Sequence, residues 1–576
     1  TGRSLGNPVT VNASDSGQIV IGANGIGSGF NLTAPVTLNG DLTLQTYDNV
    51  INGTIKAAAN LSGGVTGAGN LILNNLGLAA NVINLNNTAI NHSGSLTSQG
   101  TATGDTTIGA DIGPNVTSIT QASATSSLVL SGNNGYTGDT TISAGTLRLG
   151  AADVIPNGAG KGNVLVSGVL DLNGFSETIN GLSGGGVVDN TAASTNVVLT
   201  LSAGSVFSGT IQNSGAPLTL VKGPAGGVVL TGNNNTYSGG TIVQGGRLFI
   251  ANAGALTPNG SVQVNAGTLA MNAAGSPTFA QTINLASGAA LSMRKDATIS
   301  GVILPTAGSV VFNRDDQPTV AFSLNSAPVL AGDLTVQVGG QNPTVGDVTL
   351  TGDITGDGGL TKTQTGTLII AGANSYSGDT VVNGGVLAVN GTSIANSGKL
   401  IIAGGKVDLT NTETVDTLFF GAVQQSAGNY TSSDPSGNFT GAGILTVFSG
   451  ALDPGYASWA TLNGASADFT KDHDNDGVKN GVEYFLGGLN GLTTGFTDLP
   501  SVVSTAGVLS VSWTVGPGYS GSYGTNFVVE ASATLDGVWA NEALGGTVGI
   551  TGDVVTYTFP AGSANRRFVR LKVMSQ

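Results

Sequence analysis

Short apolar runs alternating with polar residues fill the chain from its start to about residue 448. Examples are VTLNGDLTLQ (36–45), NLILNNLGLA (70–79), VLVSGVLDLN (164–173) and LIIAGGKVDLT (400–410). Such alternation over four to six residues marks a strand with one buried face, because successive side chains leave a pleated backbone on opposite sides. Asn-Gly, Gly-Gly and Ser-Gly pairs punctuate the runs and supply turns. No segment here sustains a 3.6-residue period, so the pattern predicts strands throughout.

Three segments repeat one longer pattern: LVLSGNNGYTGDTTISAGTLRLG (128–150), VVLTGNNNTYSGGTIVQGGRLFI (228–250) and LIIAGANSYSGDTVVNGGVLAV (368–389). Counted from Tyr136, Tyr237 and Tyr376, each has Gly at plus two, Thr at plus four, Gly at plus nine and Leu at plus eleven. Repeated strand–turn–strand units predict a stacked β architecture in which each unit rests on the one before. A string of separate sandwiches would need linkers and composition breaks about every 100 residues, and the texture shows none. The fold class expected is therefore all-β: a long right-handed parallel β-helix (a solenoid) over residues 1–449. Asn at corresponding corners can ladder from coil to coil, satisfying side-chain amides that burial would otherwise strand. The recurrent Tyr reads as a packing residue at a corner rather than a ligand platform.

The texture changes near residues 450–455, and all three tryptophans (Trp459, Trp513, Trp539) lie beyond. Strand-like runs resume at 508–514, 527–531, 554–560 and 568–573. They predict six or seven short strands in a small β-sandwich over 498–576, with a linker segment at 450–497 between the two β regions.

Composition agrees. Gly supplies 93 of 576 residues, while Lys plus Arg number 18 and Asp plus Glu 33, only five of them Glu. Helices draw on Glu and Lys for exposed faces, and both are scarce here. A net charge of −15 excludes nucleic acid as a partner, since phosphate binding needs clustered cations. No apolar run reaches the roughly 18–20 residues of a membrane span. The absence of Cys removes disulfides, thiol catalysis and Cys-ligated zinc. A start at Thr1 without a basic-then-apolar leader reads as a mature, exported chain.

One segment carries readable chemistry. DHDNDGVKNGVE (472–483) fits D-x-D-x-D-G-x5-E. Asp472, Asp474 and Asp476 would converge on a hard cation and Gly477 would allow the sharp turn. Val478 would offer its carbonyl, Asn480 would ligate directly or through water, and Glu483 would be bidentate. The all-oxygen set fits Ca²⁺, and the expected role is a structural lock between solenoid and sandwich, with a helix following at 482–487. The alternative is an acidic surface turn that binds nothing. The two histidines, His92 and His473, are far apart, so a His-based triad or zinc site lacks parts; His473 reads as a solvent-facing loop residue. Arg294-Lys295-Asp296 and Arg314-Asp315-Asp316 could meet on adjacent coils, as in a lyase, but structural ion pairing is the better reading.

The three Tyr-centred blocks, with lead-ins such as LTKTQTGTLIIAG (360–372) and LTLVKGPAGGVVLTG (218–232), resemble the autotransporter-associated β-strand repeat. That resemblance implies a β-helical passenger displayed at, or released from, the surface of a Gram-negative-type bacterium, with no catalytic residues to carry over. The 456–487 segment resembles the tail of such repeat proteins that lack a membrane barrel. The leading expectation is a non-enzymatic extracellular structural protein whose open coils dock head to tail on further copies of itself to form a filament. The alternatives are a monomeric adhesin, binding cell-surface or matrix glycans, and a β-helix polysaccharide lyase or hydrolase.

Overall fold

A computed structural model of the chain describes residues 3–13, 19–24, 29–47, 57–77, 81–257, 260–295, 297–313, 321–339, 346–390, 394, 398–449, 456, 459–460, 465, 468, 470–473, 478–487, 500, 502–516, 519, 521–535, 538–561 and 567–574. The alternating runs are strands, and the strands stack in parallel as a β-solenoid of about 16 turns. The chain forms two compact units: 1–355 with 363–372, and 356–362 with 373–576.

In the first unit each coil contributes one strand to each of several parallel sheets. One sheet has ten strands, from Arg3–Leu5 to Thr210–Ile211; another has eight, from Ile19–Asn24 to Leu182–Ser183; a third has seven, from Glu177–Ile179 to Thr298–Ile303. Register partners lie from 18 residues apart (Leu170 with Val188) to 29 apart (Leu32 with Leu61). Parallel pairing in register places like positions over one another. Leu128, Leu147, Leu170, Val188 and Ile211 form one inward ladder, every member fully buried. Burying an aliphatic side chain of this size is worth about 1.5–3 kcal/mol, and the ladder repeats that gain on each coil. No change to separate sandwiches interrupts the described coils of this unit.

Outward positions stack as well. Asn84 Nδ2 donates to Asn60 Oδ1 (2.9 Å), and Asn60 Nδ2 donates to Asn31 Oδ1 (2.7 Å). This ladder runs within paired strands rather than at the corners where the sequence places it; at a corner, Asn411 Nδ2 donates to Asn390 Oδ1 (2.9 Å). On another face Thr97, Thr120 and Thr141 align in register as an uncharged polar column.

The second unit continues the pattern with Thr380–Val382, Lys399–Ile402, Glu413–Phe420 and Leu445–Ser449 paired in parallel. Beyond it, pairing becomes antiparallel. Val503–Thr505, Val508–Thr514, Val554–Thr558 and Val548–Thr551 make a four-stranded sheet; Ala540–Asn541, Phe527–Ser532 and Phe568–Val573 make a three-stranded one. These seven strands enclose Val511, Trp513, Phe527, Val529, Val548, Val555 and Tyr557, the small sandwich that the terminal runs predict. Among the described residues no helix is long and apolar enough to cross a membrane.

Asn235 shows how one side chain serves three coils. Its Oδ1 accepts from Ile211 N–H on one neighbouring coil (2.7 Å), and its Nδ2 donates to the Ala255 carbonyl on the other (2.7 Å). Asn235→Ala would strand both buried backbone groups, at about 1–3 kcal/mol each. We expect faster amide hydrogen exchange at Ile211 and in the coils on either side, with distant coils unchanged, since solenoid stability is a sum of neighbour terms.

Candidate functional site

The repeated pattern builds a corner, and the structure accounts for each of its fixed positions. Tyr136, Tyr237 and Tyr376 are buried, and each phenol oxygen lies 2.6 Å from Oγ1 of the Thr four residues on: Thr140, Thr241 and Thr380. Burial raises the Tyr136 phenol above its usual range and pushes Tyr237 up to about 12, so both are neutral. They are packing residues, not ligand platforms. The Gly at plus nine (Gly145, Gly246, Gly385) has φ of 59°, 60° and 62°, the left-handed region that Gly enters without strain. The Leu at plus eleven (Leu147, Leu248, Leu387) points into the core. Two residues before the Tyr, Asn134 repeats the bridging seen at Asn235: it accepts from Ile112 N–H (2.9 Å) and donates to the Val154 carbonyl (2.8 Å).

The sequence reading missed a further position, 14 or 15 residues before the Tyr. Gln121, Lys222 and Lys362 all point inward there and are buried. Lys222 Nζ donates to the carbonyls of Gly223 (2.6 Å) and Ala225 (2.7 Å), Lys362 Nζ to that of Gly384 (3.1 Å), and Gln121 Nε2 to that of Ser126 (2.7 Å). Each caps turn carbonyls that would otherwise face an apolar interior. Desolvation lowers the ammonium of Lys222 below its usual range and brings Lys362 down to about 8. A basic residue ending an apolar run in two of the three lead-ins was the available signal.

These segments match the family model described as passenger-associated-transport-repeat, over residues 125–149, 220–248 and 360–389. The chain carries three passenger-associated-transport repeats. It is also 28% identical over 387 residues to the adhesin BmaC autotransporter of Brucella suis biovar 1 (strain 1330). That alignment covers 64% of this chain and 10% of the adhesin, so the chain spans about a tenth of that relative's length. No solved structure gives a significant match.

Outside the passenger repeats, the acidic loop leads into the helix Asn480–Gly487. Two aromatic residues pin the helix. Tyr484 packs with Tyr456 (5.4 Å between centroids) and Trp459 (5.8 Å), and Phe485 packs with Phe527 (4.9 Å) in the sandwich core. On the first turn, Asn480 and Glu483 are fully buried. Asn480 Oδ1 accepts from His473 N–H (3.2 Å) and lies 3.0 Å from His473 Nδ1, while Asn480 N–H donates to the Lys471 carbonyl (2.7 Å). His473 Nδ1 is also 3.7 Å from Glu483 Oε2. The start of the loop thus returns to the first helical turn, bringing the 472–473 end beside Asn480 and Glu483. His473 turns inward, with its side chain 16% exposed, rather than toward solvent as the sequence suggested. Its backbone N–H donates to the buried Asn480 Oδ1, and that oxygen holds the ring within hydrogen-bond distance. Val478 is buried and Asp472 half-buried; Asp474, Asp476 and Gly477 lie outside the described residues. Among the described residues no three His, Asp or Glu side chains gather at one point.

The other candidates from the sequence are placed in part. His92 is fully buried, its Nε2 is 3.2 Å from the Ser95 carbonyl, and burial lowers its pKa. Arg294 lies over the Phe249 ring at 5.4 Å; Asp296 and 314–316 lie outside the described residues. Glu177 accepts from Val154 and Ile155 N–H (3.0 and 3.2 Å), and desolvation, outweighing those bonds, pushes its carboxyl up to about 8.

The Lys362 ammonium titrates lower in the fold than in the open chain. Between about pH 8 and 10.5 the unfolded state therefore binds more protons, and stability rises with pH across that window. Lys362→Gln, which installs the residue used at Gln121, should keep the fold and remove this contribution. Melting temperatures followed by circular dichroism from pH 7.5 to 10.5 should show a smaller upward trend in the variant than in the parent.

Proposed function

We propose that this chain is a non-enzymatic passenger segment of a cell-surface or secreted adhesin of a Gram-negative-type bacterium. In this reading the solenoid is the body that is displayed. The observation that carries it is the set of three passenger-associated-transport repeats, whose fixed residues form the corners of the stacked coils. Similarity to an autotransporter adhesin supports the same reading. The recurrent Tyr, Thr, Asn and Lys of the repeats close hydrogen bonds within the stack, which fits a structural role for them. A row of exposed aromatics would have favoured glycan stacking along one side, but the exposed aromatics among the described residues are Tyr47 and Phe448.

Display of the chain on a non-adherent bacterium tests the proposal. Increased adherence to epithelial cells or matrix-coated wells, relative to an undecorated strain, is expected. No increase at equal surface display, or turnover of an acidic polysaccharide by the purified chain, would overturn it. The head-to-tail filament expected from sequence is a distinct outcome: regular polymers in electron micrographs would establish it, and dispersed particles would remove it.

We further propose that the loop binds Ca²⁺ through Asp472, Asp474, Asp476, the Val478 carbonyl, Asn480 and Glu483. The motif spacing supports this, as does the placing of Asn480 and Glu483 together on one buried helical turn beside the loop's first residues. A bound cation would hold the loop against the helix that anchors both aromatic clusters. EDTA should then speed proteolysis beyond residue 453 while leaving the passenger repeats resistant, and added Ca²⁺ should reverse it. Unchanged cleavage rates would sink the assignment.

A further inference from the structure

In the second unit a cleft of about 390 Å³ is lined by Arg570, Leu571, Lys572, Val573 and Met574 on one side. Opposite lie Asp416, Thr470, Lys479, Gly481 and Val482. Residues 570 and 572 belong to the outer face of their sheet, and Leu571 and Val573 to the face packed on the sandwich core. A cleft lined by both faces of a strand runs along its edge.

That edge is unpaired among the described residues. Phe568–Val573 is the terminal strand of its sheet, bonded only to Phe527–Ser532. The phase of the ladder is fixed on both sides. Met574 N–H donates to the Asn526 carbonyl (2.7 Å), so Lys572, Arg570 and Phe568 aim their backbone groups at the neighbouring strand. Glu542 N–H donates to the Val529 carbonyl (2.8 Å), which is the complementary phase across Phe527–Ser532. Val569, Leu571 and Val573 must therefore direct their N–H and C=O groups away from the sheet, toward the cleft.

The side chains bordering this edge are cationic, in a chain whose net charge is −15. Lys479 is exposed; Arg570 and Lys572 share the single carboxylate of Glu530 (2.7 and 3.2 Å), and Arg570 also lies 4.2 Å above the Trp539 ring. Glu530 and Asp416 offset two of the three cations, leaving an excess of one.

We propose that this cleft binds an extended acidic peptide segment of a partner protein as an added strand along Phe568–Val573. The backbone of Val569, Leu571 and Val573 supplies the ladder. The strand period sets the side-chain preference: acidic residues at alternate positions lie beside Arg570 and Lys572, and small or apolar ones between them face Leu571 and Val573. Neither the passenger repeats nor the adhesin reading enters the argument, so each can fail without the other.

Fluorescence anisotropy with the full chain tests it. The probe is a labelled nine-residue peptide alternating Asp and Val between Ser ends. Saturable binding is expected, falling about tenfold or more when every second peptide nitrogen is methylated, since methylation removes ladder donors and keeps the charge. Lys479→Glu, on an exposed side chain, and Lys572→Gln should each weaken binding several-fold with unchanged circular dichroism, and a Lys-for-Asp peptide should not bind. Absence of saturable binding would overturn the proposal. So would equal affinity for the methylated peptide, indifference to both variants, or displacement by oligogalacturonate of a probe whose affinity ignores methylation.

Discussion

Everything regular in the solenoid follows from parallel backbone pairing between successive coils. A single coil of 18 to 32 residues can bury neither its inward side chains nor its outward-pointing amides and carbonyls alone. A neighbour in register does both at once. The same constraint fixes what each position tolerates: aliphatic residues on the inward ladder, Gly where the chain must turn left-handed, and an amide wherever backbone groups at a corner miss a partner strand. Asn235 and Asn134 meet that last demand by taking a donor from one coil and an acceptor from the next.

Buried polar groups in the stack are accordingly numerous and mostly closed, with a few atoms such as Gln121 Oε1, Ser98 Oγ and Thr106 Oγ1 left without a hydrogen bond. The Tyr–Thr pair, the bridging Asn and the inward Lys or Gln each satisfy groups that the turn geometry would strand. The Lys version carries an electrostatic penalty that the Gln version avoids, as the lowered ammonium of Lys362 shows. That both types occur at corresponding positions says the corner requires a long donor, not a charge.

Period and composition made the stack legible, because a ladder in register writes its rule into every coil: Tyr136, Tyr237 and Tyr376 recur with their Gly, Thr and Leu at fixed offsets. An amide ladder was expected at the corners, but the one through Asn31, Asn60 and Asn84 runs within strands, where backbone pairing in register sets side chains over one another. Gln121, Lys222 and Lys362 were not foreseeable, since a long polar residue at the end of an apolar run reads as the strand's exposed exit until the turn carbonyls around it are seen. His473 was misread for a local reason. Its orientation depends on Asn480 and Glu483, which come beside it only once the helix has formed. The phase of the Phe568–Val573 edge was equally hidden, because alternation of side chains does not say which backbone groups face a neighbour.

A fold that satisfies itself coil by coil leaves little chemistry on its flanks. The outward Thr97–Thr120–Thr141 column is polar, uncharged and regular, a surface that resists edge pairing and offers few strong contacts. Ionisable groups concentrate instead where the repeat stops: three of the five Glu residues and six of the 18 Lys and Arg lie beyond Asp453. There the antiparallel sheets end in a true strand edge, with the helix Asn480–Gly487 beside it, and irregular backbone can bring Lys479, Arg570 and Lys572 to one place. In a chain built by repetition, specific recognition is accordingly best sought at the interruptions rather than along the stack.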